Sequence, residues 1–196
     1  IFECLRRSQD FVSGIELNIS SPNTTGLRIF HEPARLRGLI EGLVSVKKVP
    51  LFVKLPPWPR DDENRRELLK LAATAVDAGV NGLVIANTHP IESSRLQVGR
   101  GGLSGAPLFE HTELMIADIQ AQVQGEVAII ACGGVSTGEH VWKLLASGAS
   151  AVQLYTAFIY EGPGLPARIN KRVSKLMSAA GITNIGDISG EPPSIR

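Results

Sequence analysis

Cysteine is nearly absent from this chain of 196 residues. Cys4 and Cys132 lie far apart, without the C-x-x-C or histidine spacing of a zinc site, and two are too few for a disulfide framework. That usage points to a reducing compartment, with no metal expected. Aromatic residues make up only 5% of a chain that is 43% hydrophobic, so an aliphatic core of one domain is expected. Neither sign of charge dominates: Lys and Arg total 20 against 19 Asp and Glu, a formal charge of +1. No overall field draws in nucleic acid, and any anion must be bound locally. No apolar run approaches the ~20 residues of a membrane span, and the opening IFECLRRSQDF lacks the apolar stretch of a signal peptide. The sequence also lacks an initial Met, as a fragment would. No G-x-G-x-x-G follows a strand, which counts against an open dinucleotide-binding sheet.

What is present is organised around Gly14 to Arg28, GIELNISSPNTTGLR. Ile15, Leu17 and Ile19 alternate with Glu16, Asn18 and Ser20 as in a short strand, and Pro22 ends it. Ser21, Asn23, Thr24, Thr25 and Gly26 then form a dense polar group too hydrophilic for core. On composition alone this is an ordinary strand-to-helix loop, or a strand delivering its end into a polar site.

The rest of the chain repeats one unit of strand, polar loop and amphipathic helix. Strands are expected at Pro50–Lys54, Leu83–Ala86, Val127–Ala131 and Ala151–Leu154. Helices are expected through Leu36 to Leu43, from Asp61 to Gly79, through Met115 to a stop at Gly125, through Val141 to Leu145, and through Leu165 to Met177. Asn87 to Ala106 reads as one long Gly-rich loop, and loops of that length are usually functional. Residues 186–196 read as a loosely ordered tail after a unit spanning 1–185. Five such units with near-continuous apolar strands mean an α/β fold with a parallel sheet under helices. The sheet closes either as an open doubly wound sheet or as a (β/α)8 barrel, which takes ~250 residues for eight units.

In both architectures the chemistry lies beyond the carboxyl ends of the strands. Asn18 and Ser21 end the first, Lys54 the second, Asn87 and Thr88 the third, Gly133 and Gly134 the fourth, Tyr155 and Thr156 the fifth. Lys54 closes an apolar run and, if buried, needs an anionic partner; otherwise it snorkels to solvent. Gly133-Gly134 ahead of a helix suits a phosphate, and its place on the penultimate strand suits the phosphate site of a barrel.

Taken together, ELNISSPNTTGLR, LFVKLPP, the Asn87-Thr88 strand end, GGLSGAPL, CGGVSTG and GASAVQLYTAFIYEGP resemble the dihydroorotate dehydrogenases, specifically the quinone-linked class 2 branch with a serine base. The resemblance covers most of Glu16 to Pro163. It implies a (β/α)8 TIM barrel of which this chain holds about the last five units, FMN as cofactor, and oxidation of dihydroorotate to orotate in pyrimidine biosynthesis. By resemblance, Ser21 is the base and Thr24 part of its relay. Asn18, Asn23, Asn87 and Thr88 hold the substrate. Asn18, Lys54, Ala86, Ser104, Gly105, Gly133, Gly134, Tyr155 and Thr156 hold the flavin. A quinone acceptor and peripheral attachment to a bacterial inner membrane or the mitochondrial inner membrane are implied too, through a region upstream of this chain.

Two stretches depart from the family pattern. Pro56-Pro57-Trp58-Pro59 follows the lysine, and His89-Pro90 follows Asn87-Thr88. With the first strands of a barrel missing, an alternative reading is a non-catalytic homologue that binds phosphate or pairs through an open edge. A flavin barrel acting on uracil in nucleic acid is a third, and near-neutral charge counts against it.

Overall fold

The computed structural model describes residues 1–21, 26–57 and 62–194. Five parallel strands form one sheet in the order β1-β2-β3-β6-β7: β1 (Ile15–Asn18), β2 (Leu51–Lys54), β3 (Gly82–Ile85), β6 (Ala128–Cys132) and β7 (Ala151–Gln153). Register runs level across it, with Asn18 beside Lys54, Lys54 beside Val84, Ile85 beside Ala131, and Cys132 beside Gln153. Each strand therefore ends at the same rim.

Helices α2 (Pro33–Val44), α3 (Asp62–Asp77), α4 (Phe109–Val123), α5 (Gly138–Ala146) and α7 (Leu165–Ala180) carry the chain back between strands, with short α1 (Phe2–Ser8) before the sheet and α6 (Thr156–Glu161) after it. Their apolar stripes meet the sheet in one core. Ile40 of α2, Ile116 and Ile119 of α4 and Leu144 of α5 pack there with Val53, Leu83 and Ile129 of the sheet, all fully buried. β3 is buried along its whole length, whereas β1 and β7 are half exposed. A parallel strand is buried on both faces only when it has neighbours and helices on each side, and the two edge strands have neighbours on one side only among the described residues.

The edges nonetheless approach each other. Gln153 of β7 donates to Glu16 of β1 at 3.1 Å. A flat sheet of five strands at about 4.8 Å spacing would hold its edges about 19 Å apart, out of side-chain reach. The sheet must therefore curl, with its rim residues facing inward.

Several expected boundaries move. The strands begin or end one residue from their expected limits, and β1 stops at Asn18, leaving Ile19 fully buried beyond it. The expected stop of α4 at Gly125 falls one residue earlier, at Gln124, which takes the left-handed conformation (φ 48°). The stretch read as a long loop contains an antiparallel hairpin, β4 (His89–Glu92) with β5 (Arg100–Leu103). Pro90 and three glycines hid it, since both residue types usually mark breaks. Gly102 is required there, because a Cβ would run into the Thr88 side chain.

A second core cluster joins Trp142, Leu165, Ile169, Val173 and Leu176 to Ile188. Trp142 Nε1 donates to the Gly190 carbonyl at 3.1 Å, and Lys143 lies 3.3 Å from Glu191. Beyond residue 185 the chain therefore touches the domain at Ile188, Gly190 and Glu191.

Candidate active site

The strand-end residues converge on the curled rim. Asn18 Oδ1 accepts hydrogen bonds from the backbone N–H and the hydroxyl of Ser20, at 3.1 and 2.8 Å. Ser20 Oγ in turn accepts from Asn87 Nδ2 at 2.9 Å, and Asn87 Oδ1 accepts from the Thr88 N–H at 2.8 Å. The ends of β1 and β3 are thereby tied by a polar chain through Ser20, which is 5% exposed. Sequence reasoning passed over Ser20 because the alternation assigned it to a strand face; only its partner across the sheet reveals its role.

Lys54 projects from the end of β2, its side chain 14% exposed and its Nζ 3.6 Å from Glu16 Oε1. It also points at Cys132 Sγ, 3.5 Å away. The anionic partner that a buried lysine needs is thus Glu16, which simultaneously receives the Gln153 amide. Glu16, Gln153 and Cys132 were also missed, because each is ordinary in its own strand and meaningful only where strands meet.

A cavity of about 630 Å3 opens at this rim, within the ~300–1,000 Å3 usual for cofactor sites. Of the residues singled out from the sequence, Lys54, Ala86, Asn87, Thr88, Ser104, Gly105, Gly133, Gly134, Tyr155 and Thr156 all line it. Asn18 reaches it indirectly through Ser20 and Asn87. Ser21 lies elsewhere, on the wall of a second cavity of about 480 Å3 with Arg28 and His31; Thr88 lines both. His31 Nε2 is 3.0 Å from the Ile19 carbonyl and steadies the backbone just before the two serines. Asn23, Thr24 and Trp58 lie outside the described residues.

The turn after β6 is shaped by packing. Gly133 (φ 147°) and Gly134 (φ 75°) take positive dihedrals. A Cβ on Gly133 would press on Thr112 Oγ1, and one on Gly134 would strike the Phe109 backbone. These glycines let the turn lie directly on the start of α4, which no reading of a phosphate motif alone would suggest. Beneath it sits His140, whose Nδ1 is 3.3 Å from the Ser136 N–H and whose ring stacks on Phe109 at 3.9 Å and 19°. Burial holds its pKa below the usual histidine value, against the opposing pull of Glu139, the Gly134 backbone and Glu113. Burial works to raise the neighbouring Glu139, but the Arg172 hydrogen bond at 2.6 Å and the backbone outweigh it and keep that carboxyl below its ordinary range.

The donor set suits a flavin. The cavity gathers the Lys54 ammonium and the Asn87 and Gln153 amides, which suit a ring system that gains negative charge, together with glycine backbone and the hydroxyls of Ser136 and Thr156, which suit a phosphate-bearing tail. Among the described residues no cluster of His, Cys, Asp and Glu is arranged to hold a metal.

The family model described as dihydroorotate dehydrogenase matches residues 1–177. The quinone dihydroorotate dehydrogenase of Sphingopyxis alaskensis is 34% identical over 183 residues, 90% of this chain and 50% of that protein. The mitochondrial quinone enzyme of Arabidopsis thaliana is 33% identical, covering 92% of this chain and 44% of its own length. The crystal structure of the Eimeria tenella dihydroorotate dehydrogenase with ferulenol superposes with a TM-score of 0.83 at 32% identity, over 96% of this chain and 56% of that one. The chain spans about half the length of the curated relatives it matches. Its curled five-stranded sheet is part of a (β/α)8 barrel. With the family model matched over residues 1–177 and relatives more than 30% identical across most of this chain, the chain belongs to the dihydroorotate dehydrogenase family.

Proposed function

We propose that the protein carrying this chain oxidises dihydroorotate to orotate, with FMN held in the larger cavity and a quinone as final acceptor. The observation that carries the reading is the polar chain Asn18–Ser20–Asn87–Thr88 running along the rim beside Lys54. Its amides present both donors and acceptors, as a pyrimidine ring and carboxylate require. FMN, when bound, supplies the two-electron sink for the hydride leaving C6 of the substrate. Lys54 would hold the N1/O2 side of the isoalloxazine, favouring the negative charge that grows there. Ser104, Gly105, Gly133, Gly134, Tyr155 and Thr156 would hold ribityl and phosphate.

Ser21 would remove the C5 proton. A serine hydroxyl is a weak base near neutral pH and needs a relay. Thr24 is the proposed first member, and the second cavity sets Arg28 and His31 on the same wall as Ser21. Among the described residues no helix is long and apolar enough to cross a membrane. Peripheral membrane association is proposed through a region outside this chain, at a bacterial or mitochondrial inner membrane.

Anaerobic addition of dihydroorotate to the purified full-length protein tests this: bleaching of an FMN spectrum supports it, and an unchanged spectrum refutes it. The second reading, a phosphate-binding or interaction module without turnover, draws on the exposed Tyr155 (75%) and Tyr160 (85%) beside the β7 edge. It predicts a colourless protein that associates through that edge.

A further inference from the structure

Resting on the FMN reading, we propose that His140 is a positioning residue for the cofactor's phosphate: its neutral imidazole clasps the turn 133–136 against α4 and α5 and sets how tightly FMN is held in acid. His140 does not line the cavity, but Ser136 does, together with Gly133, Gly134 and Val135. One side of this turn is fixed by the glycines lying on Thr112 and Phe109. The other is fixed by His140, whose Nδ1 accepts from the Ser136 N–H at 3.3 Å and lies 3.4 Å from its hydroxyl. The same residue's backbone N–H donates to Thr137 Oγ1 at 3.1 Å, capping α5, and its ring stacks on Phe109 at the start of α4. One side chain thus joins the cavity-lining turn to both helices beside it.

The acceptor role exists only in one protonation state. Neutral imidazole has one lone-pair nitrogen; imidazolium has none. Protonation turns Nδ1 into a donor facing the Ser136 N–H, so that bond is lost, and the ring's remaining hold on the turn runs through the Gly134 backbone and the Ser136 hydroxyl. The charged groups around the ring are Glu139 and Lys143 on α5 and Glu113 on α4, with Glu139 already engaged by Arg172. Burial, with a smaller push from Lys143, outweighs the two carboxylates and the Gly134 backbone and lowers the ring's pKa. The sign follows: the neutral, clasped form is fully present above the ordinary histidine value near 6.5, and it is lost as pH falls through the lowered value.

The test is FMN affinity of the full-length apoprotein, by flavin fluorescence quenching between pH 8 and 5, for the wild type, His140→Asn and His140→Phe. The Asn side chain can present an uncharged acceptor near the Nδ1 position; Phe cannot. At pH 8, His140→Asn should bind within about threefold of the wild type and His140→Phe about tenfold more weakly, as expected for one lost hydrogen bond. Between pH 7 and 5 the wild type should lose affinity more steeply than His140→Asn. The FMN phosphate itself titrates with a pKa of about 6, but it does so equally in all three proteins. Superimposable pH profiles for the wild type and His140→Asn, or wild-type affinity in His140→Phe, would overturn the assignment. A wild-type protein that binds no FMN at any pH would instead remove the FMN reading, and this inference with it.

Discussion

Ser21 and Lys54 line different cavities at the rim, and on the proposed reading their substitutions should fail differently. Ser21→Ala leaves the larger cavity untouched, so FMN content should be normal while flavin reduction by dihydroorotate slows by about 10²–10⁴, the usual contribution of a positioned base. Stopped-flow absorbance checks this, and unchanged reduction removes Ser21 from the mechanism. Lys54→Ala takes the ammonium from the larger cavity and leaves Glu16 without that cation, so FMN should be lost more readily on dilution. Ser20→Ala removes the link between Asn18 and Asn87 at a cost of about 1–3 kcal/mol, since amides left half-buried lose a partner. Chemical denaturation should show that loss, together with a raised KM for dihydroorotate. At this scale the sequence exposes residues whose position is unusual in their own strand: a lysine closing an apolar run, paired asparagines at strand ends. It conceals Ser20, Glu16 and His140, whose meaning lies in residues 67, 38 and 4 positions away or more.

At the scale of elements, the apolar periodicity locates all five sheet strands to within a residue or so, because buried parallel strands are short, continuous and bounded by glycine or polar loops. The β4–β5 hairpin escapes it. Its pairing places Pro90 opposite Gly102 and leaves no alternating apolar face to detect. Gly102→Val should push the hairpin off Thr88, which lines both cavities, and so disturb substrate affinity more than global stability. A KM increase with a nearly unchanged thermal midpoint is the expected result. Trp142 marks the opposite case. It is 1% exposed, it anchors the second cluster, and it holds the Gly190 carbonyl. Trp142→Ala should cost about 3–5 kcal/mol in urea unfolding.

For the whole molecule, the governing feature is a sheet curled enough for its edge strands to touch through Glu16 and Gln153, with no strand pairing between those edges among the described residues. Phe11 (87% exposed), Tyr155 and Tyr160 lie beside those edges in sequence. Apolar surface next to an unpaired strand invites association. Residues 1–196 expressed alone should therefore self-associate, whereas the full-length protein should not; a monodisperse monomer of the short chain in sedimentation would contradict this. The measurement that bears most directly on the central claim is the visible spectrum of the full-length protein before and after anaerobic dihydroorotate. The account predicts bound FMN that bleaches with substrate and is reoxidised by a quinone. A flavin-free protein, or a flavin that dihydroorotate leaves oxidised, would contradict it.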